Sequence, residues 1–363
     1  MTKEVVLPFF VKASLFFMGM FAFVYMLYIG SGIIVPLIFA AMIAIVLQPV
    51  VNFFVRKKVN RVLAIIIALV LAVLILAAFG YFLYSQATRF SDSLPKLIEK
   101  FTEIFNSSSV WASDQFNISP EKINDWIANT KADLFDTGGS IIGKTLVSVG
   151  TSLVVLFIIP VYVFMILFYK PLFVEFIQRL FDQSNHSTVS IITTRIKTVI
   201  QRYLIGLLIE LVIIAALNSI GLLILGIQYA ILLGVIGALL NLIPYLGGIV
   251  AVALPMMIAL VTKPSPWFAV YVLAIYYFIQ LIDNNYIVPK IVASKVKVNA
   301  LVSIIVILAF GALWGIPGMF VSIPLTAIVK VIFDQIDSLK PWGFLLGDTM
   351  PDSAIFNIKI KKK

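Results

Sequence analysis

Apolar residues run through this chain in long blocks, each closed by a cluster of charge or by Gly and Pro. The blocks cover about residues 11–29, 33–55, 62–84, 146–169, 200–225, 229–262, 267–288 and 300–333. A helix needs ~20 apolar residues to cross ~30 Å of hydrocarbon, so the unbroken blocks read as spans. Two blocks are broken. In 229–262 the break is Asn241-Leu-Ile-Pro-Tyr-Leu-Gly-Gly248, where Pro244, Gly247 and Gly248 divide the block. In 300–333 it is Trp314-Gly-Ile-Pro-Gly318, with Gly315, Pro317 and Gly318. Each half is about 15 residues, roughly 22 Å of helix at 1.5 Å per residue, too short to cross. Broken backbone at membrane depth is tolerated only where protein buries it or water lines it. Both blocks are therefore expected to be re-entrant helical hairpins, with their tips inside the protein beside a pathway.

Charge supplies the orientation. Arg56-Lys57-Lys58 and Arg61 follow the second block; Lys170, Arg179, Arg195, Lys197 and Arg202 follow the fourth; Lys290, Lys295 and Lys297 follow the seventh. The positive-inside rule puts these loops, and both termini, in the cytoplasm. The first broken block then has both ends outside and the second has both ends inside. Each follows a full span, and each carries a further Pro in its second half (Pro255, Pro324). That pattern is an inverted repeat, the arrangement by which secondary transporters expose one site to either side.

The expected organisation has five parts. Residues 1–85 form three spans, a scaffold. Residues 86–145 form a polar insert outside the membrane, in which Phe90, Leu94, Leu97, Phe101 and Ile104 make a helical stripe. That stripe suits a helix lying on the membrane domain or a subunit contact. Residues 146–198 hold the fourth span and an amphipathic cytoplasmic or interfacial helix with Leu172, Phe173, Phe176, Ile177, Leu180 and Phe181 on one face. Residues 199–335 form a transport core with the two hairpins, and 336–363 a cytoplasmic tail.

Composition narrows the class. The chain is 61% hydrophobic and 12% charged, with mean hydropathy +1.09, which indicates an all-α polytopic membrane protein. A net charge of +10 would suggest nucleic acid in a soluble chain. Here the basic residues flank apolar blocks, so no nucleic-acid partner is expected. The absence of Cys excludes disulfides and thiol catalysis, and the single His186 lies among Ser, Asn and Thr. No carboxylate cluster has metal-ligand spacing and no phosphate-binding loop is present. An enzyme, a metal site, a cofactor and direct ATP drive are therefore not expected.

Chemistry is concentrated in a few polar residues within the apolar field. Glu210 stands inside the fifth block, where a carboxylate costs about 2.5–3.5 kcal/mol on insertion scales. It either couples transport to a proton or cation, or holds a structural hydrogen bond, with Asn218 or a hairpin backbone as partner. Asp283, near the cytoplasmic end of its span, is a gating or substrate group or simply an interfacial one. Asn241, Gln280, Asn284 and Asn285 offer neutral donors and acceptors, suited to a small hydroxylated solute or to helix–helix hydrogen bonds. Tyr245, at the first tip, gates, binds or packs. Glu210, Asn218, Asn241, Pro244, Tyr245, Gly247, Gly248, Gln280, Asp283, Asn284, Gly315, Pro317 and Gly318 are the candidate pathway.

Several of these segments resemble the autoinducer-2 exporter family of bacterial inner-membrane proteins. Ile38-Phe-Ala-Ala-Met-Ile-Ala-Ile-Val-Leu-Gln-Pro49 is similar to that family's second span, and Asn241-Leu-Ile-Pro-Tyr-Leu-Gly-Gly248 to its most distinctive motif. Gln280-Leu-Ile-Asp-Asn-Asn-Tyr-Ile-Val-Pro-Lys290 resembles its Gln/acid-to-Pro segment. Gly311-Ala-Leu-Trp-Gly-Ile-Pro-Gly318, continuing to Ile323-Pro324, resembles its last hairpin. Ala293 stands where a Gly is usual, and Val298-Asn-Ala300 replaces a typical Leu-His-Pro. The resemblance implies export or ion exchange, and homo-oligomers that are pentameric. The combined expectation is a secondary transporter of the inner membrane. It would export a small polar solute, with autoinducer-2 as one candidate, by alternating access, with a proton or sodium as coupling ion. The alternatives are a sodium–proton antiporter with Glu210 and Asp283 as ion ligands, and a non-transporting membrane scaffold.

Overall fold

The structure, a computed structural model, describes residues 8–116, 157–242, 247–292 and 297–350. These hold helices and one isolated bridge between Val298 and Gly347. Six helical stretches among them are long and apolar enough to cross a membrane. They are α1 (Phe9–Ile29), α2 (Ser31–Arg56), the Arg61–Thr88 part of α3 (Arg61–Phe116), α6 (His186–Ile224), Trp267–Val292 and α10 (Ala300–Gln335). A seventh is formed if α4 (Phe157–Phe168) and α5 (Lys170–Arg179), bent by 59° at Tyr169, are taken together. Two apolar helices are too short to span: α7 (Ala230–Asn241) and α8 (Gly247–Thr262).

Several boundaries differ from those expected. Gly30 alone joins α1 to α2. The third apolar span closes at Thr88, near the expected end, but its helix α3 continues without a break to Phe116. Its residues 85–116 contain no Gly, and the single Pro95 does not end the helix. Phe90 of this extension meets the Tyr229 ring edge-on at 5.3 Å, so α3 reaches the turn between α6 and α7. The insert beyond 116, the first part of the fourth block and the tail after 350 lie outside the described residues.

The second broken block is one stretch, α10, interrupted at Gly315, whose φ of 65° and ψ of −147° are non-helical. This region of the backbone map is essentially restricted to Gly. Residues eight apart in a straight helix are about 12 Å apart, yet a Cβ on Gly318 would collide with the Phe310 carbonyl. The two arms therefore meet at a tight corner. The first broken block is tight in the same way: a Cβ on Gly247 would collide with the Leu240 carbonyl.

α6 is the central helix. It touches α2, α5, α7, α9 (Trp267–Ile282) and α10. Small residues set the approach: Gly221 faces Ile275 of α9, and Ser219 faces Gly234 of α7. Hydrophobic clusters then divide the molecule. Ala40, Ala44, Val51, Ala64, Ile65, Val163 and Leu167 join α2, α3 and α4. Ile200, Leu204, Ile307, Val321 and Ala327 join α6 to α10. Leu233, Ala251, Ala259 and Val272 join α7, α8 and α9. α1 buries no residue at all, which suits a helix surrounded by lipid tails.

α9 does not end as a simple helix. From Asp283 to Val292 the chain forms a π-helical segment containing Pro289. Wide turns of this kind are rare and recur at functional sites. After it, Asn299 caps α10 by accepting from the Val302 N–H at 2.9 Å. Its side-chain amide also donates to the Leu345 and Gly347 carbonyls, at 2.8 and 3.0 Å. The short helix α11 (Lys340–Leu346) is thereby tied back to the start of α10.

Candidate transport site

A cavity of about 840 Å³ lies between α6, the α7–α8 pair, α9 with its π-helical extension, and the start of α10. Its chemistry comes from helical periodicity. On α6, Tyr203, Leu207 and Glu210 occupy one face at spacings of four and three. Along α9 and into its π-helical extension, Tyr276, Gln280 and Asp283 do the same, with Tyr277 and Asn284 beside them. Asn241 and Gly248 add the two ends of the α7–α8 break, and Lys297, Ser303 and Asp348 add a second rim.

Both carboxylates are withdrawn from solvent: Glu210 is 6% exposed and Asp283 2%. Asp283 Oδ2 accepts from the Asn241 amide at 2.9 Å, while Asp283 Oδ1 is buried without a partner. Among the described residues, no Lys or Arg lies within ion-pair distance of either acid. Gly248 packs directly on Gln280, and a Cβ there would come within 2.6 Å of Gln280 Oε1. The Gln280 amide in turn donates to Asn284 Oδ1 at 3.3 Å. The cavity therefore presents three carboxylates, two of them buried, with four amide or lysine donors and three phenols against apolar walls. Such a set can hold a small solute rich in hydroxyls, or a cation.

Six of the residues singled out from the sequence line this one cavity: Glu210, Asn241, Gly248, Gln280, Asp283 and Asn284. Gly247 is buried at the corner beside them. Asn218 stands deeper, 3% exposed. Its amide nitrogen and the Tyr276 hydroxyl flank Gly237, at 3.2 and 3.1 Å from where a Cβ would be. Asn218 Oδ1 and Tyr276 Oη are both unpartnered. Pro244 and Tyr245 lie outside the described residues.

Gly315, Pro317 and Gly318 do not line this cavity. Their corner sits against the α1–α2 turn, where the Trp314 indole N–H donates to the Leu27 carbonyl at 3.0 Å. A separate, shallower pocket is formed there by Tyr28, Ser31, Gly32, Pro36 and Trp314.

Sequence reasoning missed Tyr203, Tyr276, Tyr277, Lys297, Ser303 and Asp348. The tyrosines carried a usable signal, because Tyr203 is seven residues before Glu210 and Tyr276 seven before Asp283, on the same helical faces. Lys297, Ser303 and Asp348 carried none; Asp348 follows Gly347, which Asn299 ties back to the start of α10.

Residues 15–338 match a family model described as AI-2E family transporter. Among curated proteins, "Putative transport protein YhhT" of Escherichia coli strain K12 is 25% identical over 327 residues, 90% of this chain and 91% of that one. "AI-2 transport protein TqsA" of the same strain is 27% identical over 333 residues, 88% of this chain and 90% of that one.

Proposed function

The chain belongs to the AI-2E family of transporters, and from that premise we propose that it carries a small polar solute out of the bacterial cell through the cavity between α6, α7–α8 and α9. The observation that carries this reading is the pair of buried carboxylates, Glu210 and Asp283, sharing one cavity with Asn241, Gln280 and Asn284 and without a basic counter-charge at ion-pair distance among the described residues. A structural acid at this depth is stabilised by a Lys or Arg partner. An acid awaiting a solute, a proton or a cation is not. Autoinducer-2, a small hydroxylated signal, fits the donor and acceptor set. It is also the substrate class in the name of the relative TqsA.

Transport proceeds by alternating access. The α7–α8 pair and α10 act as re-entrant hairpins from opposite faces, in the first and second units of an inverted repeat, and they move against the scaffold of α1 to α4. The matched corners at Gly247 and Gly318 support this symmetry. The protein sits in the inner membrane with both termini in the cytoplasm, as a homo-oligomer, a pentamer by the family resemblance. The cavity rim bearing Lys297 then faces the cytoplasm.

Asp283 Oδ1, buried and unpartnered, favours a second reading in which the two acids bind sodium in exchange for protons. Efflux of autoinducer-2 and related hydroxylated solutes from proteoliposomes, under imposed proton and sodium gradients of either sign, separates the two. Solute movement driven by a proton gradient supports export. Sodium movement in liposomes free of solute supports exchange.

A further inference from the structure

A second polar cluster lies away from the cavity, where α5 packs on α6 and the start of α3 reaches the end of α4. Arg61 opens α3, Lys170 opens α5, and Lys197 lies on α6. All three are half-buried. The Arg61 guanidinium donates from Nη2 to the Leu167 carbonyl at 2.7 Å, which holds it beside the 59° bend between α4 and α5. Lys170 stands just past that bend. Burial, and then the positive charges of Lys197 and Arg61, push the Lys170 ammonium below its ordinary pKa. Lys170 therefore lies near enough to both Lys197 and Arg61 to feel their charge.

Among the described residues, no acid lies within ion-pair distance of any of the three. The acid on α5, Glu175, is taken by Arg179 at 2.9 Å. Like charges held together in a partly desolvated site are destabilising unless an anion joins them. The surface beside them is apolar and uncovered: Leu172, Phe173 and Phe176 of α5 are 59%, 47% and 57% exposed. A free inorganic anion would satisfy the charges and leave that face in water. A lipid would satisfy both.

We propose that Arg61, Lys170 and Lys197 bind the phosphate of an anionic phospholipid whose acyl chains lie along Leu172, Phe173 and Phe176. The bound lipid holds α5 in the headgroup plane and fixes the α4–α5 bend at the foot of the scaffold.

The test is native mass spectrometry of the full-length protein in detergent, titrated with phosphatidylglycerol or phosphatidylcholine. The wild-type chain should bind phosphatidylglycerol at least about tenfold more tightly than phosphatidylcholine. Lys170→Gln/Lys197→Gln should cut that preference to no more than the share of Arg61, about fivefold, since each basic residue near the surface is worth about a fivefold gain for an acidic lipid. Lys170→Arg/Lys197→Arg should keep it. If the double Gln variant loses its wild-type melting curve, Lys170→Gln alone should still lower the preference about fivefold. Equal binding of the two lipids, or an undiminished preference in the Gln variants, overturns the proposal. Displacement of the lipid by millimolar inorganic phosphate also overturns it, because the site would then serve a soluble anion.

Discussion

The Asn241 side-chain amide donates to Asp283 Oδ2 at 2.9 Å across 42 positions of sequence. It joins the last residue of α7 to the first of the π-helical segment, and so ties the break between α7 and α8 to the wall that carries the second carboxylate. Asn241→Ala strands a buried carboxylate oxygen and should cost ~1–3 kcal/mol. Asp283→Asn keeps an acceptor facing the Asn241 amide and should cost much less. Thermal melting of the two variants in detergent gives the order. Equal losses would mean that this bond does not secure the break.

Glu210→Gln removes a buried charge while keeping the shape of the side chain. The fold should be no less stable, because the charge itself is what hydrocarbon penalises. Gradient-driven flux should fall at least about tenfold and lose its pH dependence. Melting and proteoliposome flux are measured on the same preparation. Normal flux with an unchanged pH profile would reduce Glu210 to a structural group.

Glu210, Asn241, Gln280, Asp283 and Asn284 of the cavity's polar lining were legible in the sequence because they stand in apolar blocks, where each is costly without a role. The breaks were legible from Pro and Gly. Three features were not. Tyrosine in a span reads as an interface residue, which hid Tyr203 and Tyr276. The π-helical segment after Ile282 has the composition of an ordinary helix end. The corner at Gly315 looked like its counterpart near Gly248, yet one lies against α1 and the other lines the cavity. Which neighbour a break meets is a matter of tertiary packing, invisible to local pattern.

The α10 corner can be probed directly. Gly315→Ala forces a side chain into a conformation that only Gly adopts freely, at about 1–3 kcal/mol. Gly318→Ala drives a methyl group into the Phe310 carbonyl and should be at least as damaging. Gly80→Ala, on α3 with nothing within 4 Å of the added Cβ, should be neutral or stabilising by up to ~1 kcal/mol. Melting temperatures of the three variants check this ranking. A Gly318→Ala variant as stable as Gly80→Ala would contradict the corner geometry.

Asn299 makes four ties at once: its side chain caps α10 and reaches Leu345 and Gly347, and its N–H donates to the Leu346 carbonyl at 3.1 Å. Asn299→Ala should cost ~1–2 kcal/mol, the range for a lost N-cap, and should loosen α11. Limited proteolysis should then cut after residue 336 faster than in the wild-type chain. An unchanged cleavage rate would show that other contacts of α11 with α10 suffice.

The central claim is that the cavity is the path of the solute, and the absence of Cys from the chain makes it directly testable. Ser303→Cys places a single thiol on the cavity rim, and Gly80→Cys places one on α3 away from the cavity. Flux of the transported solute is measured in proteoliposomes before and after reaction with a bulky maleimide. The expected result is near-normal flux in both variants before labelling, and loss of at least nine-tenths of it after labelling only in Ser303→Cys. Full flux through fully labelled Ser303→Cys would place the path elsewhere and contradict the account.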